Sequence, residues 1–397
     1  MQITKLAVIG AGTMGASIVM ALISNGLKVV LKDTDNIVLE NGLKNIDKFL
    51  DKKIAKGLSP IKAQAMKNLV TAVTDYKEFA DVDIVIEAVS ESINIKQKVF
   101  QELDEWCNLD TLLLTNTSSL SITQIASFTR RSDKVCGLHF FNPAHIMKLV
   151  EIIPGLDTSS ETIQSVTQLA NLINKVSVKV EECPSFLVNR LLTRYMNEAL
   201  WCLSDKIYTV EEIDKAAVEI AMPIGPLALR DMNGCDIGLS VASYNFKEYG
   251  QRFAYPDLLV KMVDNNLLGK KTDKGFYLYT KDSPKPLGVN ENVYTLINQK
   301  PQEKLLSSNI PLSIRLMLPM INEAFLVIQE KICKLESIDL ALKTGLGMKL
   351  GPLELANNIG LTTCLNYLEE LANFYGERFR PAYYLRKLVY ANKTKVI

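Results

Sequence analysis

The sequence predicts a mostly parallel α/β domain followed by two tandem all-α domains. Three observations carry that expectation. Strand-length apolar runs alternate with helical patterns over residues 1–183. Past Pro184 the patterns are almost all helical. Four short motifs of the helical part then recur at a nearly constant offset.

Leu6-Ala7-Val8-Ile9 is the first strand, and it ends in Gly10-Ala11-Gly12-Thr13-Met14-Gly15. Ser17 to Ser24 reads as a buried helix stopped near Asn25-Gly26, and Val29-Val30-Leu31 as a second strand ending at Asp33. Strand, tight turn, helix and strand in that order make a βαβ unit. Within it Gly10 permits the turn, Gly12 lets the backbone approach a pyrophosphate, and Gly15 lets helix and strand pack closely. Asp33 suits the adenosine ribose hydroxyls, and its charge repels a 2′-phosphate, which favours NAD over NADP. A Gly-rich turn without ligand, or an FAD site, would share the motif. The domain is therefore expected to be of Rossmann type.

Ile37 to Leu69 is helical and lysine-rich, with Lys44, Lys48, Lys52, Lys53, Lys56, Lys62 and Lys67. A solvated helical hairpin explains such a face without any ligand. Strands follow at Val70–Val73 and Ile84–Glu87, a helix at Asn94–Cys107, and strands at Thr111–Leu114, Val135–His139 and Leu149–Ile153. A helix at Ser159–Asn174 and a strand at Ser177–Val180 complete the alternation, which argues for a sheet covered on both faces. The expected domains are 1–183, 184–281 and 306–397, with 282–305, polar and Pro-bearing, as a linker.

Asn197-Glu198-Ala199 recurs as Asn322-Glu323-Ala324, and Ile213-Asp214 as Ile338-Asp339, each 125 residues on. Gly225-Pro226-Leu227 recurs as Gly351-Pro352-Leu353, and Tyr249-Gly250-Gln251-Arg252-Phe253 as Tyr375-Gly376-Glu377-Arg378-Phe379, each 126 on. One register for four motifs implies two copies of one helical domain, too long a period for a solenoid.

Composition narrows the chemistry. Among 397 residues, 45 Lys+Arg balance 44 Asp+Glu, so nucleic acid is not an expected partner. Apolar runs are interrupted too often for a membrane span to be expected. No basic segment leading into an apolar stretch opens the sequence, so a cytoplasmic protein is expected. Seven scattered cysteines without a CxxC pair favour neither a disulfide framework nor a metal site.

With only two histidines, an imidazole mechanism has two candidates, His139 and His145. His139 ends a strand and Glu151 lies in the next one, so the two can meet at one sheet end. A His–carboxylate pair fixes the tautomer and raises the basicity of the ring, as a base in alcohol oxidation requires. A buried His bonded to a carbonyl is the plainer alternative. His145 has no carboxylate in its surroundings and reads as structural or surface. Ser118 ends a strand and could equally be a helix cap. Asn189, in an apolar helix, needs partners that a ligand could supply.

Together, Gly10 to Gly15, Asn116-Thr117-Ser118-Ser119-Leu120, His139-Phe140-Phe141-Asn142-Pro143, Met147 to Glu151, Phe186 to Leu191 and Gly269 to Tyr277 resemble the L-3-hydroxyacyl-CoA dehydrogenase family over nearly the whole chain. The tandem helical part looks like the dehydrogenase half of the multifunctional fatty-acid β-oxidation enzyme. The resemblance implies NAD-dependent oxidation of L-3-hydroxyacyl-CoA to 3-ketoacyl-CoA. It makes His139 the general base, Glu151 its support, and Ser118 and Asn189 substrate contacts. Met14, Asp33, Glu91, Lys96, Ser118 and Asn142 fall on NAD-contacting positions, and Lys56 on the hairpin that receives CoA phosphates.

Ser185, Pro154 and Thr344 depart from the family's usual Gly, Arg and Tyr, and catalysis is not expected of the second helical copy. That copy is expected to cover the face through which short members dimerise, giving a monomer with paired repeats; a homodimer is the alternative. A hydratase or thiolase partner is indicated by no motif. The rival readings are a related dehydrogenase of sugar acids or acyl-carrier-protein thioesters, and a non-catalytic scaffold.

Overall fold

The structure, a computed structural model, describes residues 3–280, 283–297 and 310–396. It divides into two compact units, residues 1–186 and 187–397.

The first unit runs β1 (Lys5–Ile9), α1 (Thr13–Ile23), β2 (Lys28–Lys32), α2 (Asn36–Ile54), α3 (Pro60–Lys67), β3 (Val70–Val73), β4 (Ile84–Glu87), α4 (Ile93–Trp106), β5 (Leu112–Thr115), α5 (Ile122–Ala126), β6 (Val135–Phe140), β7 (Leu149–Pro154), α6 (Ser160–Leu172) and β8 (Val176–Lys179). Its eight strands lie in the order β3-β2-β1-β4-β5-β6-β7-β8. Neighbours are parallel except β6 and β7, which are antiparallel. Strands β4 to β7 are buried throughout, which is why they read as apolar runs rather than alternating ones. Chain order reverses across β1, so the Gly-rich turn after β1 stands at the switch point where a parallel sheet opens a crevice.

Helix α1 is buried from Gly15 to Ile23, and its one buried hydroxyl needs a partner. His145 is that partner: its Nδ1 lies 2.8 Å from Ser17 Oγ, and its backbone N–H donates to the same oxygen at 3.2 Å. The ring also packs 4.3 Å from Phe49 of α2. On α2, Lys44, Lys48 and Lys52 are exposed and four residues apart, so they share one helix face.

The second unit runs α7 (Val188–Ser204), α8 (Val210–Ile220), α9 (Pro226–Asn233), α10 (Cys235–Tyr249), α11 (Leu258–Asp264), β9 (Tyr277–Thr280), β10 (Ser283–Val289) and α12 (Asn292–Thr295). The second copy follows as α13 (Leu312–Gln329), α14 (Leu335–Leu346), α15 (Pro352–Ile359), α16 (Leu361–Tyr375) and α17 (Tyr383–Tyr390). By length and composition α13 could cross a membrane, but 72% of that stretch is buried, as in the core helix of a packed domain.

The helical unit carries one two-stranded hairpin, and the expected linker at 282–305 is corrected in part. Residues 283–289 pair antiparallel with β9, with an irregularity between Ser283 and Gly288. Proline cannot donate to a ladder, but Pro284 and Pro286 fall within that irregular stretch of an edge strand, where it is tolerated. Residues 281–282 and 298–309 lie outside the described residues.

Each recurring motif has a physical reason. Asp214 accepts from Leu227 N–H (2.8 Å) and Ala228 N–H (3.0 Å), so its carboxylate caps α9. Asp339 caps α15 in the same way, through Leu353 N–H (2.9 Å) and Glu354 N–H (3.0 Å). Gly225 and Gly351 stand beside these carboxylates because a Cβ there would fall 2.1 and 2.2 Å from Asp214 and Asp339 atoms.

The charged residues pair across the two copies. Arg190 binds Glu323 at 2.8 Å and Glu330 at 2.8 Å. Reciprocally, Arg315 binds Glu198 at 2.9 Å and Asp205 at 2.9 Å. Arg252 reaches Glu323 at 3.4 Å, and Arg378 reaches Glu198 at 3.9 Å. Contacts of i with j and of j′ with i′ are the mark of an isologous, two-fold face, here formed between α7 and α13 of one chain.

The β9–β10 hairpin is anchored on Asp231, which accepts from Phe276 N–H (2.9 Å), Tyr277 N–H (2.8 Å) and the Tyr279 hydroxyl (3.1 Å). Burial pushes the Asp214 and Asp231 carboxyls up to about 6, against the pull of these hydrogen bonds. A folded-state value above the ordinary one means the folded protein holds the proton more tightly. Stability from this source is complete below about pH 4 and is lost as pH rises through about 6. The stability advantage of the parent over Asp231→Asn should therefore shrink between pH 4 and 7, as read from melting temperatures across that range.

Candidate active site

The Gly-rich turn is built as a cradle. Gly10 has φ 97°, a left-handed conformation, and a Cβ there would meet Ala88 O at 2.5 Å. A Cβ on Gly15 would lie 1.7 Å from Gly10 O. Gly12 is different: its φ is −67°, and a Cβ would meet nothing within 4 Å. Neither its backbone angle nor packing requires glycine there, whereas close approach of a ligand would. It is also the N-cap of α1, and no side-chain cap or first-turn acid occupies that positive end.

A cleft of about 690 Å³ opens above it, lined among others by Gly10, Gly12, Thr13, Met14, Asp33 and Tyr76. Asp33 is held at its lip by Ala11 N–H (2.8 Å) and Thr34 N–H (2.7 Å). These residues fit a dinucleotide, with the pyrophosphate over Gly12 and a ribose at Asp33. Lys32 and Glu102 also line the cleft and escaped the sequence reading. Lys32 is buried, stacks 4.1 Å over Tyr76, and has its pKa lowered by that burial. A buried lysine closing β2 directly before Asp33 was the signal available.

A second group forms where β4 and β5 end. Lys96, fully buried, donates to both oxygens of Glu87 at 2.7 and 2.9 Å and lies 3.3 Å from Glu91. Glu91 in turn accepts from the hydroxyls of Thr117 (2.6 Å), Ser118 (3.2 Å) and Ser119 (3.3 Å), and from Ser118 N–H (2.8 Å). Burial opposes its charge, yet Lys96 and these donors hold its carboxyl below the usual range. Glu91 and Lys96 thus meet Ser118 as one hydrogen-bonded group. Glu87, which the sequence reading passed over, anchors it, and Thr115 Oγ1 donates to Glu87 at 2.6 Å.

His139 and Glu151 are direct cross-strand partners in β6 and β7. Nδ1 lies 2.6 Å from Glu151 Oε2, and both side chains are buried. An ionised carboxylate only accepts, so Nδ1 carries the hydrogen and Nε2 is left basic. Phe141 and Phe186 flank the ring with centroids 4.6 and 5.9 Å away. The strand end is pinned by Asn116, unremarked in the sequence reading as a positioning group, whose Oδ1 accepts from Phe140 N–H at 2.8 Å.

Asn142 is exposed, just past β6 and before Pro143. Lys56 is exposed in the turn between α2 and α3. Asn189 belongs to the other unit, half-buried in the first turn of α7, where its carbonyl accepts from Thr193 Oγ1 at 2.7 Å. Among the described residues, no His/Cys/Asp/Glu group could hold a metal ion.

A Rossmann-type sheet with an open phosphate cradle and a buried His–Glu pair defines a nicotinamide-dependent dehydrogenase. Comparison with known proteins makes the class specific. The model of the 3-hydroxyacyl-CoA dehydrogenase NAD-binding domain matches residues 5–183, and that of the family's C-terminal domain matches residues 186–279 and 313–396. The chain belongs to the 3-hydroxyacyl-CoA dehydrogenase family.

It is 47% identical over 281 residues to a 3-hydroxybutyryl-CoA dehydrogenase of Clostridioides difficile, spanning 70% of this chain and all of that one. It is 34% identical over 399 residues to a fatty acid oxidation complex subunit alpha of Shewanella amazonensis, spanning 99% of this chain but 56% of that subunit. The solved 3-hydroxybutyryl-CoA dehydrogenase of Escherichia coli K12 superposes with a TM-score of 0.87 at 28% identity, over 98% of this chain and 99% of that one.

Proposed function

We propose that this chain oxidises L-3-hydroxyacyl-CoA to 3-ketoacyl-CoA, with His139 as the general base. The observation that carries the reading is the buried contact of His139 Nδ1 with Glu151 at 2.6 Å, which leaves Nε2 basic at the end of the sheet. NAD, when bound over Gly12 and Asp33, supplies the hydride acceptor. As the C3–H hydride leaves, Nε2 takes the hydroxyl proton and the C3–O bond becomes a carbonyl. The imidazolium that forms faces the Glu151 carboxylate in a buried site, where the attraction is stronger than in water. Glu91 holds Ser118 for the substrate oxygen, and for Asn189 the support for a substrate contact is the resemblance alone. The exposed lysines of α2 and its following turn, Lys56 among them, suit the phosphates of CoA.

The paired repeats support a monomer, since the two-fold face of the first copy is already covered by the second. Buried free thiols at Cys107, Cys136, Cys202, Cys235 and Cys364 suit a reducing, cytoplasmic setting. The test is NADH oxidation with acetoacetyl-CoA and with free acetoacetate. The thioester should be reduced with a kcat/KM at least about a hundredfold higher, because remote CoA binding contributes to the rate. Equal use of the free acid, or no NADH oxidation with any 3-ketoacyl-CoA, overturns the reading.

A further inference from the structure

The main ion pairs between α7 and α13 are reciprocal across the two copies, but the arginine that bridges them is not. Arg194 of α7 donates from one terminal nitrogen to Arg252 O and from the other to Arg378 O. Those two arginines are equivalents, 126 residues apart, in the recurring Tyr-Gly-x-Arg-Phe motif. A group that bridges equivalent atoms of both copies sits on the axis relating them. The residue equivalent to Arg194, 125 positions on, is Pro319, inside α13. Arg194 is 2% exposed, with Glu323 at 3.4 Å and the Phe253 ring at 5.2 Å.

Position on an axis has a consequence. In an isologous pairing, equivalent residues meet there. Two first copies facing each other would bring two buried guanidiniums to one pair of carbonyls. Their other ion pairs would survive, because the Arg190–Glu323 contact has its counterpart in Arg315–Glu198 and either copy carries both residues. Two second copies would bring two prolines, leaving both carbonyls without that donor. Only the mixed pairing supplies one cation and leaves room for it.

We propose that the Arg194–Pro319 mismatch is a pairing code: it makes the face of the first helical copy accept the second copy and reject another first copy. The partner that fits this face is a homologous helical domain with a small residue lacking a donor at the axis, here the chain's own second repeat. Specificity of this kind rests on a repulsive element as well as an attractive one. Each guanidinium would still face a glutamate as Arg194 faces Glu323, so the repulsion comes from two like charges crowded onto one axis and competing for the same two carbonyls.

The test uses the full-length chain and thermal unfolding of its helical unit, followed by the fluorescence of Trp201 in a Trp106→Phe background. Pro319→Arg recreates the axis of two first copies, and Arg194→Pro that of two second copies. Each should lower the melting temperature by about 5 °C or more. The double exchange, Arg194→Pro with Pro319→Arg, restores one cation to the axis and should recover at least half of the loss. Pro319→Arg with Arg194→Met should recover it too, so the rescue does not depend on a proline in α7. Such non-additivity is expected only of residues that meet. A Pro319→Arg chain as stable as the parent, or losses that simply add in both double variants, would overturn the proposal.

Discussion

His139→Gln should lower kcat by roughly a hundredfold to ten-thousandfold, the usual contribution of a positioned general base. NADH affinity should stay within about twofold, because the cleft over Gly12 and Asp33 does not use this side chain. Glutamine keeps the size of the side chain but offers no basic nitrogen. Glu151→Gln is a graded companion. Its amide oxygen can still accept the Nδ1 hydrogen, so the tautomer survives, while the charge that steadies the imidazolium is gone. A loss of about ten- to a hundredfold follows, smaller than that for His139. Steady-state kinetics with acetoacetyl-CoA and fluorescence titration of NADH check both variants. An unchanged kcat in His139→Gln removes the histidine from the reaction.

What the sequence disclosed was mostly what local chemistry decides. A strand running into Gly10, Gly12 and Gly15 needs no tertiary information, because φ at Gly10 and the approach of α1 to β1 are set within a few residues. His139 and Glu151 were legible as a pair since each ends or occupies a strand, and an antiparallel register then makes them neighbours. The Glu87–Lys96–Glu91 group was not legible. Its members lie in β4, the following turn and α4, and the resemblance alone marked Lys96 and Glu91 as cofactor contacts. That Lys96 spends its ammonium on Glu87 depends on how α4 leaves the sheet. The role of Asn116 was hidden for a similar reason, as it bonds a backbone N–H twenty-four positions on.

The strand at 283–289 escaped because Pro284 and Pro286 read as breakers, and an edge strand can absorb them where the ladder is irregular. The internal repeat was visible as an offset, but its reason was not. Only in three dimensions does Glu198 answer Arg315 as Glu323 answers Arg190. The first copy also shows how a family motif can be structural. Gly269 to Tyr277, met once in the chain, serves the hairpin, for a Cβ on Gly275 would fall 2.0 Å from Asp231 Oδ1.

Gly15→Ala and Gly12→Ala should separate folding from cofactor binding within one turn of chain. The added Cβ at position 15 lands 1.7 Å from Gly10 O, a backbone atom that cannot move without pulling β1 and the turn apart. A loss of about 4 kcal/mol or more is expected, in the range reserved for severe steric conflict, and the first unit should melt early or fail to fold. At position 12 the Cβ meets nothing and φ is already ordinary. Stability should fall by no more than about 1 kcal/mol, the difference between glycine and alanine at an N-cap. The space that the Cβ fills is the space a pyrophosphate needs against the α1 N-terminus. NADH affinity should therefore drop by about a hundredfold, or about 2.7 kcal/mol, in a chain that still folds. Circular dichroism melts and NADH titrations of the two variants make the comparison. A Gly12→Ala chain that binds NADH as the parent does would mean the dinucleotide does not cross the turn at this point.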